Sequence, residues 1–132
     1  YPGAIVGSIG VNTSFLNTSE KNKKDGVKYV SIVSGKYKDM GIPEKDLSDE
    51  DLKFLKDENR KYFDVFVKEV AENRDMSEDQ VRQLADGRTW LSPEAKDLGL
   101  IDEVGDVYDV LAWIQESYLK SQNKEAILCE PY

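Results

Sequence analysis

The sequence predicts an α/β fold with a mainly parallel sheet, because short apolar runs of strand character alternate with capped, amphipathic helical segments. Residues 4–11 and 27–33 read as strands, helix signatures open at Ser48, Ser77 and Asp106, and a third short strand at residues 100–102 follows a helix stop at Gly99. About three strands are too few for a parallel sheet covered on both faces. The pattern therefore describes part of a domain, over residues 1–120, followed by a weakly patterned tail, 121–132.

Each element has a local cause. Residues 4–11 form an apolar run broken by Gly7, Ser8 and Gly10, where another backbone or a ligand can approach closely. Residues 12–24 are rich in Asn, Ser and Thr and read as a loop with a short helix, stopped by Asp25-Gly26. The run VKYVSIV at 27–33 has β-branched and aromatic content and ends at Ser34-Gly35, before a loop at 36–46. Ser48 with Asp51 approximates a capping box, and Leu52, Leu55, Tyr62, Phe63, Phe66, Val67 and Val70 then recur at helical spacing, which predicts a long helix over about 48–73. Ser77 and Gln80 make a second box for a short helix through Val81 and Leu84 that stops at Asp86-Gly87. Ser92-Pro93 caps the next helix and Gly99 ends it. Asp106 caps a last helix with Val107, Val110, Leu111, Ile114 and Tyr118 on one face.

Bulk properties exclude several functions. Eighteen basic against 26 acidic side chains leave a net charge of -8, with no dense basic patch, so a nucleic-acid partner is not expected. The knot Lys21, Lys23 and Lys24 lies among Asn, Glu and Asp and reads as a solvated turn. A single cysteine, Cys129, allows no intrachain disulfide and no cysteine metal site, and its place in the tail marks it as an incidental thiol. The longest apolar run is far shorter than the ~20 residues of a membrane helix. The chain opens at Tyr1 without an initiator Met, as though cut from something longer that could carry an anchor.

The chemistry is bounded by the absence of histidine, which excludes a Ser-His-Asp triad, a Cys-His pair and histidine metal ligands within the chain. Carboxylates and lysines remain as bases. Asp102, Glu103 and Asp106 could be imagined around a hard cation, but EF-hand spacing is missing and a helix-entry loop explains the same residues. No metal and no cofactor are expected. Trp90, Trp113, Tyr62 and Phe63 read as core or interface aromatics, and Arg88 as a carboxylate binder or a helix-end surface residue.

Two segments carry a family resemblance: Gly7-Ser8-Ile9-Gly10-Val11 and Ser34-Gly35-Lys36-Tyr37-Lys38-Asp39-Met40-Gly41. Together they resemble the signal peptide peptidase A (protease IV) family, serine-lysine peptidases of the ClpP/crotonase fold. The likeness continues through Leu84-Ala85-Asp86-Gly87-Arg88 and Ala95-x-x-x-Gly99-Leu100-Ile101-Asp102, although Val6 stands where the family commonly has Thr and residues 12–26 depart from its pattern. The chain looks like the C-terminal half of that single peptidase domain.

The resemblance implies that Lys38 is the general base, that Ser8 orients its amine, and that the nucleophilic serine and the oxyanion donors lie upstream of this chain. Ser8 also has a plainer reading, in which it keeps a strand narrow or satisfies a backbone group. A lysine base must be neutral to take a serine proton, which requires a pKa drawn from about 10.4 to about 7 to 8, roughly 4 kcal/mol, usually by apolar burial. Lys38 is followed by Met40, Ile42 and Pro43, a less polar setting than that of the other lysines, whereas Lys36 is expected on the surface. The resemblance further implies peptide substrates such as remnant signal peptides or other short apolar segments, homo-oligomers whose site is shared between subunits, and a bacterial envelope location with a membrane anchor outside this chain. The substrate-binding residues are not legible. A crotonase-type acyl-CoA enzyme and a noncatalytic assembly module are the alternatives.

Overall fold

The structure, a computed structural model, describes residues 1–119. They fall into two compact units, one formed by Tyr1–Ser8 with the chain from Gly87 onward, the other by Ile9–Asp86. The tail at 121–132 and Cys129 lie outside the described residues.

The first unit is built on a strand pair. β1 (Ile5–Gly7) runs antiparallel to β2 (Thr89–Leu91), with Ile5 opposite Leu91, Val6 opposite Trp90 and Gly7 opposite Thr89. Backbone bonds continue past both ends: the Ser92 N–H donates to the Ala4 carbonyl and the Ser8 N–H to the Arg88 carbonyl, each at 2.8 Å. Helix α4 (Ser92–Asp97) follows β2 directly, with Pro93 in its first turn, where a missing N–H has no helical partner to lose. The sequence makes Ser92 a cap. The structure instead makes Ser92 the first helical residue, and its buried hydroxyl donates to the Tyr1 carbonyl at 2.6 Å, tying the chain start to α4.

The end of α4 explains the Ala95-x-x-x-Gly99-Leu100 pattern. Gly99 takes φ 77°, its N–H bonds the Lys96 carbonyl at 2.9 Å, and the Leu100 N–H reaches back to the Ala95 carbonyl at 2.8 Å. These are the two bonds of a Schellman motif, and the accompanying apolar contact is supplied by Ala95 and Leu100, both buried with Trp90. Helix α5 (Val107–Trp113) opens at Asp106, whose carboxylate accepts the Tyr108 N–H at 2.8 Å and the Asp109 N–H at 3.2 Å, while the Asp109 carboxylate accepts the Asp106 N–H at 2.8 Å. A π-helical turn (Ile114–Leu119) continues it. The expected apolar face is present, but no residue of α5 is buried.

The second unit is helical. Helix α1 (Ser19–Lys24) ends at Asp25 and Gly26, the latter at φ 73°. Helix α2 (Asp49–Arg74) starts with the full Ser48–Asp51 capping box and stops where Asp75 turns left-handed at φ 52°. Helix α3 (Glu78–Leu84) opens on the Ser77–Gln80 box. Val67 and Ala71 of α2 and Val81 of α3 are buried, with Ala85 and Ile9, as the core of this unit. Arg82 bonds Asp64 at 2.9 Å and Glu78 at 3.3 Å, which joins the two helices at the surface. The Asn59 amide, at 3.3 Å from both the Val11 carbonyl and the Thr13 hydroxyl, holds the incoming chain on α2.

The sheet departs from expectation. Among the described residues it is two-stranded and antiparallel, not parallel, and residues 27–33 and 100–102 are not strands. A strand needs a neighbour to take its backbone donors and acceptors, and none of the described residues pairs with 27–33. Its apolar side chains are consequently exposed, Ile32 at 97%.

Gly99→Ala is expected to lower the unfolding free energy by about 1 to 2 kcal/mol, because a side chain is disfavoured in the left-handed turn. Urea denaturation measures this, and an unchanged midpoint would show that the turn is not required.

Candidate functional site

The two segments that carry the resemblance fall in different units. Ser8 belongs to the first and Lys38 to the second.

Ser8 ends β1 rather than lying within a strand. Gly7 takes φ 128° and Ser8 φ 56°, so the backbone leaves the ladder through two consecutive positive-φ residues. Gly7 has no alternative here: a Cβ would stand 2.7 Å from the Arg88 carbonyl oxygen and 2.8 Å from the Trp90 ring. Left-handed backbone is uncommon for a residue with a side chain, and such strain concentrates at functional sites. The Ser8 N–H is used by Arg88, and its side chain is exposed. Arg88 itself lies over the buried Trp90 ring, 6.0 Å from its centroid.

The Lys38 loop is held residue by residue. Lys36 is paired with Glu50 of α2, and the Tyr37 ring stacks on Phe54 of the same helix, with centroids 4.6 Å apart and planes 17° from parallel. The Lys38 N–H closes a turn on the Gly35 carbonyl at 3.0 Å. Asp39 points inward, 8% exposed, and accepts a hydrogen bond from Lys45 at 3.0 Å. Gly41, at φ 82°, closes the loop where a Cβ would collide with the Phe15 ring. Of the four residues 36–39, Lys38 alone makes no side-chain ion pair or ring contact with a described residue, and it is exposed.

The electrostatics follow from these contacts. Hydrogen bonding to Glu50 raises the pKa of Lys36. The Lys45 ammonium, and after it the Ser31 hydroxyl, hold the Asp39 carboxyl below the usual range against the opposing effect of burial. Asp46 is held low by the Ser19 hydroxyl first and by the Asn17 amide next, at 2.5 and 2.8 Å. These bonds, with Thr18 donating from both N–H and hydroxyl to the Pro43 carbonyl, stitch the entry of α1 to the segment that follows the Lys38 loop. Ser31, Lys45 and Asp46 carry no motif. The inward turn of Asp39 had one available signal, its place beside a lysine in a glycine-bounded loop.

Trp90 is buried, Phe63 is half-buried beneath Arg82, and Trp113 and Tyr62 are exposed. Of the three acids considered for a cation, Glu103 pairs with Lys96, Asp106 caps α5 and Asp102 has its own partner; no group of three metal-binding side chains occurs among the described residues.

Comparison with known proteins covers both segments. Residues 1–121 match the family described as peptidase family S49. The chain is 40% identical over 114 residues to a protein of Methanocaldococcus jannaschii named as a candidate protease, covering 86% of this chain and 36% of the relative. It is 39% identical over 105 residues to a candidate signal peptide peptidase SppA of Enterococcus faecium, covering 80% and 30%. It is 29% identical over 127 residues to the chloroplastic serine protease SPPA of Arabidopsis thaliana, covering 96% and 19%. The chain thus spans about a third or less of the length of these relatives.

The depressed carboxylates set a pH dependence. A carboxyl whose folded pKa lies below its unfolded value stabilises the fold fully above the unfolded value, near 3.9, and loses that contribution as pH falls through the folded value. Asp46→Asn should therefore be less stable than the parent at pH 7, with the gap closing below about pH 4. Thermal melts across pH test this, and a gap that stays constant into acid would show that Asp46 acts only through its shape.

Proposed function

The chain belongs to peptidase family S49, and on that premise we propose that it supplies the lysine base of a serine peptidase that hydrolyses remnant signal peptides or other short apolar peptides. The observation that carries the proposal is the Lys38 loop: its flanking side chains are each engaged, and one amine is left facing outward without a counter-charge. In the proposed reaction a serine outside this chain attacks the peptide carbonyl. Neutral Lys38 takes the serine proton, passes it to the leaving amine, and then activates the water that hydrolyses the acyl-enzyme. Ser8, presented by the left-handed turn after Gly7, orients the lysine amine.

Lys38 is exposed in the chain itself. The desolvation that a lysine base needs is therefore assigned to the portion of the enzyme that carries the serine and to bound peptide. Assembly of several copies with a shared site, membrane association through a segment outside this chain and an envelope location belong to the same proposal. No described helix is long and apolar enough to cross a membrane.

In the full-length protein Lys38→Ala should reduce peptidase activity by at least about a hundredfold, the lower range for losing a general base, whereas Lys24→Ala on α1 should leave it unchanged. A Lys38→Ala enzyme with parental kcat/KM would remove the base from this assignment. Residues 1–132 alone are expected to turn over no peptide, and lysine-dependent hydrolysis by the isolated chain would place the nucleophile within it.

A further inference from the structure

We infer that Asp39 and Lys45 are positioning residues for the Lys38 base, with Lys45 acting through Asp39 to cancel the negative charge that directly follows it in the chain. The inference rests on the reading of Lys38 as the base and adds to it how the loop keeps that base free of a counter-ion.

A carboxylate next to a lysine favours the ammonium form, the opposite of what a general base needs. Asp39 is that neighbour, yet it is turned inward, one-tenth exposed at its side chain, and bonded by Lys45 at 3.0 Å. The Ser31 hydroxyl, from the preceding segment, also lowers the Asp39 pKa, after Lys45. Burial of Asp39 and stacking of Tyr37 on Phe54 hold the chain on either side of Lys38 and leave its side chain to point away.

The surrounding charges are disposed in the same way. From α2, Glu50 is taken by Lys36, with Tyr37 beside it, and Asp51 is held by the Ser48 cap. On the cleft that Asp39 borders, Asp46 is bonded by Ser19 and faced by Lys23 at 3.7 Å, while Lys28 and Glu44 carry opposite signs. Of the carboxylates named here, all but Glu44 have a named partner, and none of those partners is Lys38.

The test uses the full-length peptidase and the acidic limb of log kcat/KM against pH, which reports the free enzyme's base. Lys45→Met keeps the length of the side chain but leaves Asp39 uncompensated, and the limb should move up by roughly half a pH unit. Asp39→Asn keeps the shape but removes the negative charge, leaving Lys45 nearby, and the limb should move down by about as much. Lys45→Arg should restore the parental limb. Opposite shifts cannot come from loosening of the loop, which would lower the rate in both variants without separating their limbs. Limbs that stay in place, or move in the same direction, overturn the inference even if Lys38→Ala is inactive. An active Lys38→Ala enzyme overturns the underlying base assignment instead, and the inference with it.

Discussion

Backbone pairing between Ile5, Val6 and Gly7 and their partners Leu91, Trp90 and Thr89 is the interaction on which the first unit depends. It joins the start of the chain to a segment more than eighty residues later, aligns α4 behind β2, and brings the Trp90 ring so close to Gly7 that only glycine fits. The same pairing fixes where it must stop. With the Ser8 N–H spent on Arg88 and the backbone already left-handed, the ladder has no way to continue, and the serine is turned out at its end. A long-range hydrogen-bond pattern thereby decides the conformation of the residue that the family resemblance marks.

The second unit depends on a different economy, that of charge. Among the acids around the loop at 34–41, Glu50 is met by Lys36, Asp39 by Lys45 and Asp51 by the Ser48 cap. Exposed ion pairs contribute little to stability, about 0 to 1 kcal/mol each. Their value here is positional, since every carboxylate so engaged is one fewer partner for Lys38. On the proposed reading of Lys38 as the base that arrangement has a chemical purpose, because a lysine paired to a carboxylate is a poor proton acceptor.

Features that depend on a few consecutive residues were legible in the sequence. The Ser48 and Ser77 boxes, the Asp106 cap and the glycine stop at Gly99 all appear as read, because a cap is made by side chains within four residues of the groups they satisfy. The expected contrast between a surface Lys36 and a less polar setting for Lys38 is not found, since both are exposed; the contacts with Glu50 and Phe54 were not legible, since nothing local announces which helix a loop will meet. Residues 27–33 mark the limit of such reading. Their composition is that of a strand, but strand formation is a property of two segments, and the second is not among the described residues. Ser92 shows the same limit on a small scale: its cap pattern is local, whereas the Tyr1 carbonyl that captures its hydroxyl is not.

The Schellman end of α4 shows how a motif can be specific in sequence and general in physics. Ala95, Gly99 and Leu100 are fixed by a helix that must terminate left-handed and bury the residue after the glycine, so any fold with that helix-to-chain turn selects the same letters. Such a pattern carries little about chemistry. The loop around Lys38 has the reverse character. Its glycines and aromatic ring serve packing against Phe15 and Phe54, but packing alone does not call for a buried carboxylate directly after an exposed lysine. A buried carboxylate needs a partner to offset its desolvation, and an apolar residue in its place would need none. The loop nevertheless uses an acid there and pairs it with Lys45. On the proposed role of Lys38, that arrangement is understandable as a way to anchor the backbone without offering the lysine a counter-ion.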